Sequence, residues 1–205
     1  MASPDDKRKT LSQWNTPPWV AEAMWARAKI HNHLYVLEPS AGTGALILPV
    51  DDDVAVTACE IDPELCAHYL RQIDPPLYQL HQGDFLTDFA VPLNPDYRPF
   101  GTAVMNPPFE AGKDLAFVLK AFRLCEVVIA LVRVQFLHRT ACWKKLWSRP
   151  DVCLSWVGGC IPRPRFGGAY NPMDEYVIIE LVHGPQTTTE YARILNPKLL
   201  QAQAP

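Results

Sequence analysis

Four consecutive residues, Asn106-Pro107-Pro108-Phe109, combine hydrogen-bond acceptors with a flat aromatic ring. The two prolines fix the backbone and contribute carbonyl oxygens without adding N–H donors. The side-chain oxygen of Asn106 and the carbonyl of Pro107 could therefore accept the two protons of an amino group, while Phe109 stacks on the ring that carries it. The tetrapeptide favours a planar base with an exocyclic amine as substrate. The alternative is a buried turn in which Asn106 only caps the backbone.

Such an amine needs help to react, because its lone pair is delocalised into the ring. Two acceptors favour the pyramidal geometry of the transition state and hold the nitrogen in line with an electrophilic carbon. This is catalysis by positioning and electrostatic complementarity. A strong general base is not required, since the nitrogen becomes acidic only after it has been alkylated. The tetrapeptide thus predicts methyl transfer to the amine of adenine.

A loop with two glycines, Gly42 and Gly44, follows a short apolar run. Glycine lets a backbone turn tightly and come close to a ligand. The third glycine of a dinucleotide fingerprint is missing, and no phosphate-cradling lysine follows. A nucleotide without a pyrophosphate is therefore favoured over a plain turn, and S-adenosylmethionine, a nucleoside with an amino-acid tail, fits. The predicted cofactor-binding residues of this loop are Glu38, Pro39, Ser40, Ala41, Gly42 and Gly44.

Two acidic residues follow the next two predicted strands. Glu60, with Ile61 after it, could accept hydrogen bonds from both ribose hydroxyls of the cofactor. Asp84, with Phe85 after it, could accept from the adenine amine of the cofactor. Each acid alone could instead be a solvent-facing residue, a helix cap or a turn residue. The order of glycine loop, acid and second acid after three successive strands favours a cofactor site.

Alternating apolar runs and helical segments must position these residues. This alternation predicts an α/β fold with a mainly parallel sheet covered on both faces, whose ligand lies beyond the carboxyl ends of the strands. The predicted strands cover 34–37, 54–59, 77–81, 102–105, 127–134, 152–157 and 176–182, and the predicted helices 17–29, 45–50, 63–73, 113–124 and 139–148.

The length of 205 residues fits one domain with a single core. We expect a mobile leader over 1–14, the domain over 15–184 and a loosely attached tail over 185–205. The formal net charge of −3 restricts any basic surface to a local patch. The polar start of the chain and the absence of a long apolar run predict a cytoplasmic protein that does not contact membranes. The six cysteines form no CxxC pair, which predicts reduced thiols and no metal site.

The motifs resemble those of the Rossmann-like N6-adenine methyltransferases in kind, order and spacing. The resemblance rests on 37–45, Glu60, Asp84 and 106–109 and covers about 15–182. It implies S-adenosylmethionine as cofactor and a three-layer fold whose seven-stranded sheet is mainly parallel with the last strand antiparallel. The motif order is similar to that of the gamma class. The segment 15–18 resembles the family's other cofactor segment, which implies that Thr16 and Pro17 lie against the methionine tail.

Recognition of a nucleic acid must use small elements, because little sequence follows the last predicted strand. The segment 161–168 resembles a loop of compact phage and prophage DNA adenine methyltransferases, and we assign Arg163 and Arg165 to nucleic-acid contact. Lys144 and Lys145 are further candidates for phosphate contacts. Trp143 and Trp147 are four residues apart, and we expect both to pack on the core.

Adenine in DNA is the favoured substrate at this point, reached by base extrusion. Adenine in structured RNA is the first alternative, since the same tetrapeptide serves there. Protein glutamine N5 methylation uses a similar motif, but Phe109 in place of tyrosine weighs against it. A catalytically silent nucleic-acid-binding module on the same fold is the alternative that is not an enzyme, and the intact motif residues argue against it.

Overall fold

The computed structural model describes residues 15–68, 70–73, 77–91, 98–110, 112–166 and 174–198. The predicted leader 1–14 and the end of the predicted 161–168 loop, Gly167-Gly168, lie outside these described residues. One sheet contains every strand. The strands are β1 Tyr35–Glu38, β2 Ala55–Glu60, β3 Tyr78–Gln82, β4 Phe100–Met105, β5 Cys125–Arg133, β6 Val152–Ile161, β7 Tyr176–His183 and β8 Glu190–Leu195.

The strand order across the sheet is β3-β2-β1-β4-β5-β7-β6-β8. Strand β7 runs antiparallel to both of its neighbours, and every other pairing is parallel. The chain passes from β1 to β2 on one side and returns to β4 on the other side of β1. A crevice therefore opens beyond the carboxyl ends of β1 and β4, the place where ligands bind in such sheets.

Helices cover both faces of the sheet. They are α1 Pro18–Lys29, α2 Pro63–His68 and α3 Lys113–Leu124, followed by a helical turn at Thr140–Cys142 that continues as a π-helix over Trp143–Trp147. Strand β5 shows the layering, because its side chains alternate between two apolar clusters. Its even-numbered residues from 128 to 132 pack with α3 and the 140–147 segment, and its odd-numbered residues from 127 to 131 pack with α1. The predicted three-layer fold is confirmed.

The predicted count of seven strands is wrong by one. Strand β8 pairs in parallel with β6 and lies within the range that the sequence analysis assigns to the tail. Most of its side chains are exposed, and only Ala192 and Ile194 pack against the core. The four apolar residues of the strand stand at 191, 192, 194 and 195, so the sequence lacks the alternation that indicates a strand. Strand β6 also runs to Ile161 rather than 157, because Gly158-Gly159 continues the strand instead of ending it.

Two predicted helices take other forms. Residues 45–50 form turns, in which the N–H groups of Ile47 and Leu48 both donate to the carbonyl of Gly44. Pro49 lacks the next donor, so the turn does not grow into a helix. The predicted helix 139–148 changes its hydrogen bonding after Cys142, where the N–H of Ser148 donates to the carbonyl of Trp143, five residues back.

All six cysteines are buried free thiols, as predicted. Over the described ranges, no helix has the length and apolar content needed to cross a membrane. The same ranges hold no group of three or more His, Cys, Asp or Glu side chains arranged to bind a metal ion.

Candidate active site

A cavity that is partly open to solvent lies at the carboxyl ends of β1, β2 and β4. Most of the residues predicted for the catalytic and cofactor sites lie here. Those lining the cavity are Thr16, Glu38, Pro39, Ser40, Ala41, Gly42, Glu60, Ile61, Asp84, Phe85, Asn106 and Pro108.

Four predicted site residues do not line the cavity. The carbonyl of Pro17 begins α1 by accepting from the N–H groups at 20 and 21. Gly44 has φ +85°, and a Cβ there would lie 2.6 Å from the Ile73 side chain, so its role is to form the turn. Pro107 is buried, and Phe109 packs against Phe166 and Tyr176 beside the cavity.

Several lining residues were missed from the sequence. They are Asn15, Thr43, Ala45, Leu46, Gly83, Leu86, Lys113 and Phe117. For Lys113 and Phe117 a signal existed, since residues four apart share one face of a helix. That helix, α3, starts just after the tetrapeptide.

The glycine loop and the first acid are joined directly. Gly42, at φ +56°, donates its N–H to Glu60 Oε2 at 2.7 Å, and the N–H of Asp62 donates to Oε1 at 2.8 Å. A carboxylate can accept about four hydrogen bonds, so Glu60 keeps acceptor capacity toward the cavity. Burial raises the pKa of Glu60, against these two hydrogen bonds. Ile61 beside it is 48% exposed and offers an apolar surface at the cavity.

Glu38 is the most deeply buried acid of the site, at 1% exposed. Its Oε1 accepts from the N–H and the hydroxyl of Ser40 at 2.9 and 3.1 Å. Its Oε2 is buried and has no hydrogen-bond partner among the described residues. A buried acceptor that lines a cavity without a protein partner fits a ligand that brings a donor, such as an amino group.

Replacing Glu38 should change how stability depends on pH. Burial raises the pKa of Glu38 from 4.5 to about 8, so the folded protein holds a proton that the unfolded chain releases. Wild-type stability should therefore fall as pH rises through this window, by up to about 1.4 kcal/mol per pH unit from this group. In Glu38→Gln this loss disappears. Urea denaturation from pH 5 to 9 should show the variant gaining stability relative to wild type as pH rises.

The control for this measurement is Glu126→Gln, at a half-exposed carboxylate on β5. Its stability should follow the wild-type pH profile. A Glu38→Gln profile parallel to wild type would mean that Glu38 is ionised in the folded protein.

The second acid, Asp84, both caps a turn and lines the cavity. Its Oδ1 accepts from the N–H of Leu86 at 2.7 Å. Lys120, from α3, binds the same turn, because its ammonium donates to the carbonyls of Phe85, Leu86 and Phe89. The turn that carries Asp84 is thereby fixed to α3.

The tetrapeptide meets the glycine loop and the upstream segment at Asn106. Asn106 Nδ2 donates to Thr16 Oγ1 at 3.1 Å, and the single hydroxyl proton of Ser40 is shared between Glu38 Oε1 and the Asn106 carbonyl, each 3.1 Å from Oγ. With the amide nitrogen turned to Thr16, the amide oxygen lies on the opposite side of the group. This is the arrangement that an acceptor for a substrate amine requires.

Phe109 belongs to an aromatic cluster beside the cavity. Its ring centroid lies 5.1 Å from that of Tyr176 and 5.8 Å from that of Phe166. The guanidinium of Arg133 lies 5.8 Å from the ring centroid and donates to the Phe109 carbonyl, and Asp174 pairs with Arg133 at 3.5 Å. Arg133 thus holds the end of the tetrapeptide. Stacking of Phe109 on a substrate base stays a prediction.

The residues predicted to contact nucleic acid lie on two exposed segments. Arg163 and Arg165 are exposed on the loop after β6, and that loop is anchored by Phe166, whose buried ring contacts Phe109. Lys144 and Lys145 are exposed on the π-helix.

The expectation for the two tryptophans is correct for one of them only. Trp147 packs edge-on against Phe136, with ring centroids 5.9 Å apart. Trp143 is 63% exposed, because the segment buries the face that carries Cys142 and Leu146.

Comparison with known proteins finds partial similarity. No protein-family model matches the chain. Ribosomal RNA small subunit methyltransferase A of Thermosynechococcus vestitus is 35% identical over 88 residues, 42% of this chain and 33% of that protein. A probable dimethyladenosine transferase of Dictyostelium discoideum is 29% identical over 107 residues, 52% of this chain and 33% of that protein. The chain thus matches about a third of the length of each of these relatives.

A solved structure extends the similarity to most of the chain. The O-methyltransferase TomG from Streptomyces achromogenes, in complex with S-adenosylmethionine, superposes with a TM-score of 0.57 at 15% identity, covering 80% of both chains. The ligand of that structure agrees with the predicted cofactor. The chain has the Rossmann-like fold of the S-adenosylmethionine-dependent methyltransferases.

Proposed function

We propose that this protein transfers a methyl group from S-adenosylmethionine to the exocyclic N6 amine of adenine in RNA. The observation that carries the proposal is the junction at Asn106, where Thr16, the glycine loop and the tetrapeptide meet beside one cavity. An amide acceptor beside a cavity that can hold the methyl donor is the arrangement that methylation of an aromatic amine needs.

The cavity residues fit the proposed cofactor. S-adenosylmethionine supplies a methyl group on a sulfonium, ready for attack by a nitrogen lone pair. Glu38 Oε2, buried and unpartnered among the described residues, would accept from the amino group of the methionine portion. Glu60 would accept from the ribose hydroxyls, with Ile61 against the adenine ring. Asp84 would accept from the adenine amine.

The residues at the tetrapeptide would act on the substrate adenine. Asn106 Oδ1 and the Pro107 carbonyl would accept the two N6 protons and orient the lone pair along the line of attack. The nitrogen would become cationic as its bond to the methyl carbon forms and the bond from that carbon to sulfur breaks, and one of its two protons would then pass to solvent. No residue of this chain is required to remove that proton beforehand.

RNA takes the place of DNA as the favoured substrate. The sequence motif serves both nucleic acids. The two relatives favour RNA, because one is named for ribosomal RNA and the other for dimethyladenosine. Both matches cover about a third of the relative, so the substrate of this chain is our proposal and not a property read from theirs.

Methyl transfer to separate substrate pools tests the proposal. Purified protein is incubated with cofactor labelled in its methyl group and with RNA, DNA or protein from one cell extract. We expect label in RNA at a rate well above that in the other two pools. Label mainly in DNA would return the substrate to the first interpretation of the sequence, and label mainly in protein would contradict an adenine target.

Loss of the Glu60 carboxylate should weaken cofactor binding strongly. In Glu60→Ala the ribose loses a charged acceptor and the N–H of Gly42 loses its partner. Hydrogen bonds to charged groups contribute about 1.5–3 kcal/mol, which is about a ten- to hundredfold rise in Kd. Calorimetric titration with S-adenosylhomocysteine measures it.

Glu126→Ala, at a half-exposed acid on another strand, is the matched control and should bind the cofactor as wild type does. An unchanged Kd in a folded Glu60→Ala protein would remove Glu60 from the cofactor site.

A further inference from the structure

An exposed tryptophan stands beside two exposed lysines on the π-helix. Trp143 is 63% exposed, while Trp147 on the same helix is packed against Phe136. Lys144 and Lys145 are exposed, and neither makes an ion pair with a carboxylate in the described part of the chain. We call Trp143, Lys144 and Lys145 the tryptophan–lysine patch. Trp143 thus presents an open aromatic face directly beside two cations.

The tryptophan–lysine patch lies on a helical segment whose other face is buried. Cys142 and Leu146, on either side of Trp143 in sequence, are fully buried. Arg139, at the start of the segment, donates to both carboxylate oxygens of buried Asp114 at 2.9 Å. Only the patch residues themselves would have to order when a partner binds, so little conformational entropy opposes binding.

The same ion pair places the patch next to the candidate active site. Asp114 lies in the first turn of α3, directly after Lys113, which lines the cavity. Arg139 and Asp114 therefore connect the base of the patch to the cavity wall. A strand whose adenine enters the cavity would pass close to this surface.

We propose that the tryptophan–lysine patch binds the unpaired RNA next to the target adenine, with Trp143 stacked on a neighbouring base and the two lysines on phosphates. The inference rests on the proposed function and deepens it by naming the substrate class as single-stranded or looped RNA. An aromatic platform with adjacent cations is the chemistry that binds unpaired strands. Bases within a duplex are stacked on each other and offer Trp143 no open face. The two exposed lysines give this surface a local positive charge, which is complementary to the phosphates of the strand.

Binding of matched RNA probes tests the patch without requiring methyl transfer. Fluorescence anisotropy compares a short unpaired oligonucleotide with the same oligonucleotide paired to its complement. Trp143→Ala should raise Kd for the unpaired probe about five- to hundredfold and leave the duplex nearly unchanged. Lys144→Gln with Lys145→Gln should reduce the salt slope of log K by about 1.4.

Tyr191→Ala is the control, because Tyr191 is 73% exposed on β8, at the far edge of the sheet. It should change neither Kd. Trp143→Ala should also unfold at the wild-type temperature, since its side chain is exposed.

Two outcomes separate this inference from the proposed function. If wild type methylates adenine in RNA but Trp143→Ala binds the unpaired probe as wild type does, or weakens both probes equally, the patch is not a stacking platform. If wild type transfers no methyl group to adenine while Trp143→Ala still loses the unpaired probe, the proposed function fails and the patch stands.

Discussion

Asn106→Ala should lower the single-turnover rate of methyl transfer by about a hundredfold or more and leave cofactor affinity close to wild type. The expected loss is that of one preorganised hydrogen-bond group aimed at the developing charge. Cofactor affinity should persist because the Asn106 side chain contacts Thr16 and the proposed substrate, while the loop and acids that face the cofactor stay in place. Rapid-quench assays with matched cofactor titrations separate the two effects.

Asn196→Ala, at a partly exposed asparagine whose side chain accepts from the N–H of Lys198, is the matched control. It should react at the wild-type rate. A large loss of cofactor affinity in Asn106→Ala would assign this side chain to the cofactor, and near-normal turnover would remove it from the mechanism.

The largest effect on stability should come from Arg27→Met. Arg27 Nε and Nη2 donate to the two oxygens of Glu180 at 2.6 and 2.8 Å, and His31 Nε2 and Ser155 Oγ contact the same carboxylate. Glu180 is 1% exposed in the middle of the sheet, so the variant leaves a buried charge without its main partner. We expect a loss of about 3–5 kcal/mol in unfolding free energy by urea denaturation.

Lys29→Met provides the control on the same helix. Its ion pair with Asp51 is half-exposed on both sides, and such a pair contributes about 0–1 kcal/mol. If Arg27→Met costs no more than Lys29→Met, the Arg27–Glu180 pair does not hold α1 on the sheet.

The loss of unfolding free energy in Arg27→Met should depend on pH. Burial acts to raise the pKa of Glu180, but hydrogen bonds from Arg27, His31 and Ser155 outweigh it and hold this pKa below its ordinary value of 4.5. A carboxyl with a lowered folded pKa stabilises the fold above its unfolded pKa and loses that effect as pH falls through the folded value. The difference between wild type and variant should therefore be full at pH 7 and shrink below about pH 4.5.

Local signals explain what could be predicted from the sequence. The apolar run of β5, the helical spacing of α3 and the glycine loop are each contained within about ten residues of sequence. The order of motifs then predicted that Glu60 and Asp84 lie at one site, and both line the cavity, because the carboxyl ends of parallel strands share one edge of the sheet. Strand β8 was not predicted because its apolar residues, at 191, 192, 194 and 195, do not alternate along the strand.

The supporting contacts could not be predicted, because their partners are far apart in sequence. Lys120 reaches back to the carbonyls of the Asp84 turn, and Arg133 reaches the Phe109 carbonyl. The ion pair of Arg27 and Glu180 spans 153 residues. Each contact follows from tertiary packing, and a single basic residue on a strand or helix gives no sign of it. The exposure of Trp143 was likewise decided by which face of its helix packed inward.

Nucleoside analysis of methylated RNA tests whether this protein methylates the N6 amine of adenine in RNA. RNA is incubated with wild-type protein and labelled cofactor, digested to nucleosides and separated by chromatography with mass detection. We expect label in N6-methyladenosine or N6,N6-dimethyladenosine with wild type, and about a hundredfold less with Asn106→Ala. Label on another atom of adenine, on the ribose or on another base, at a rate that Asn106→Ala leaves unchanged, would contradict it.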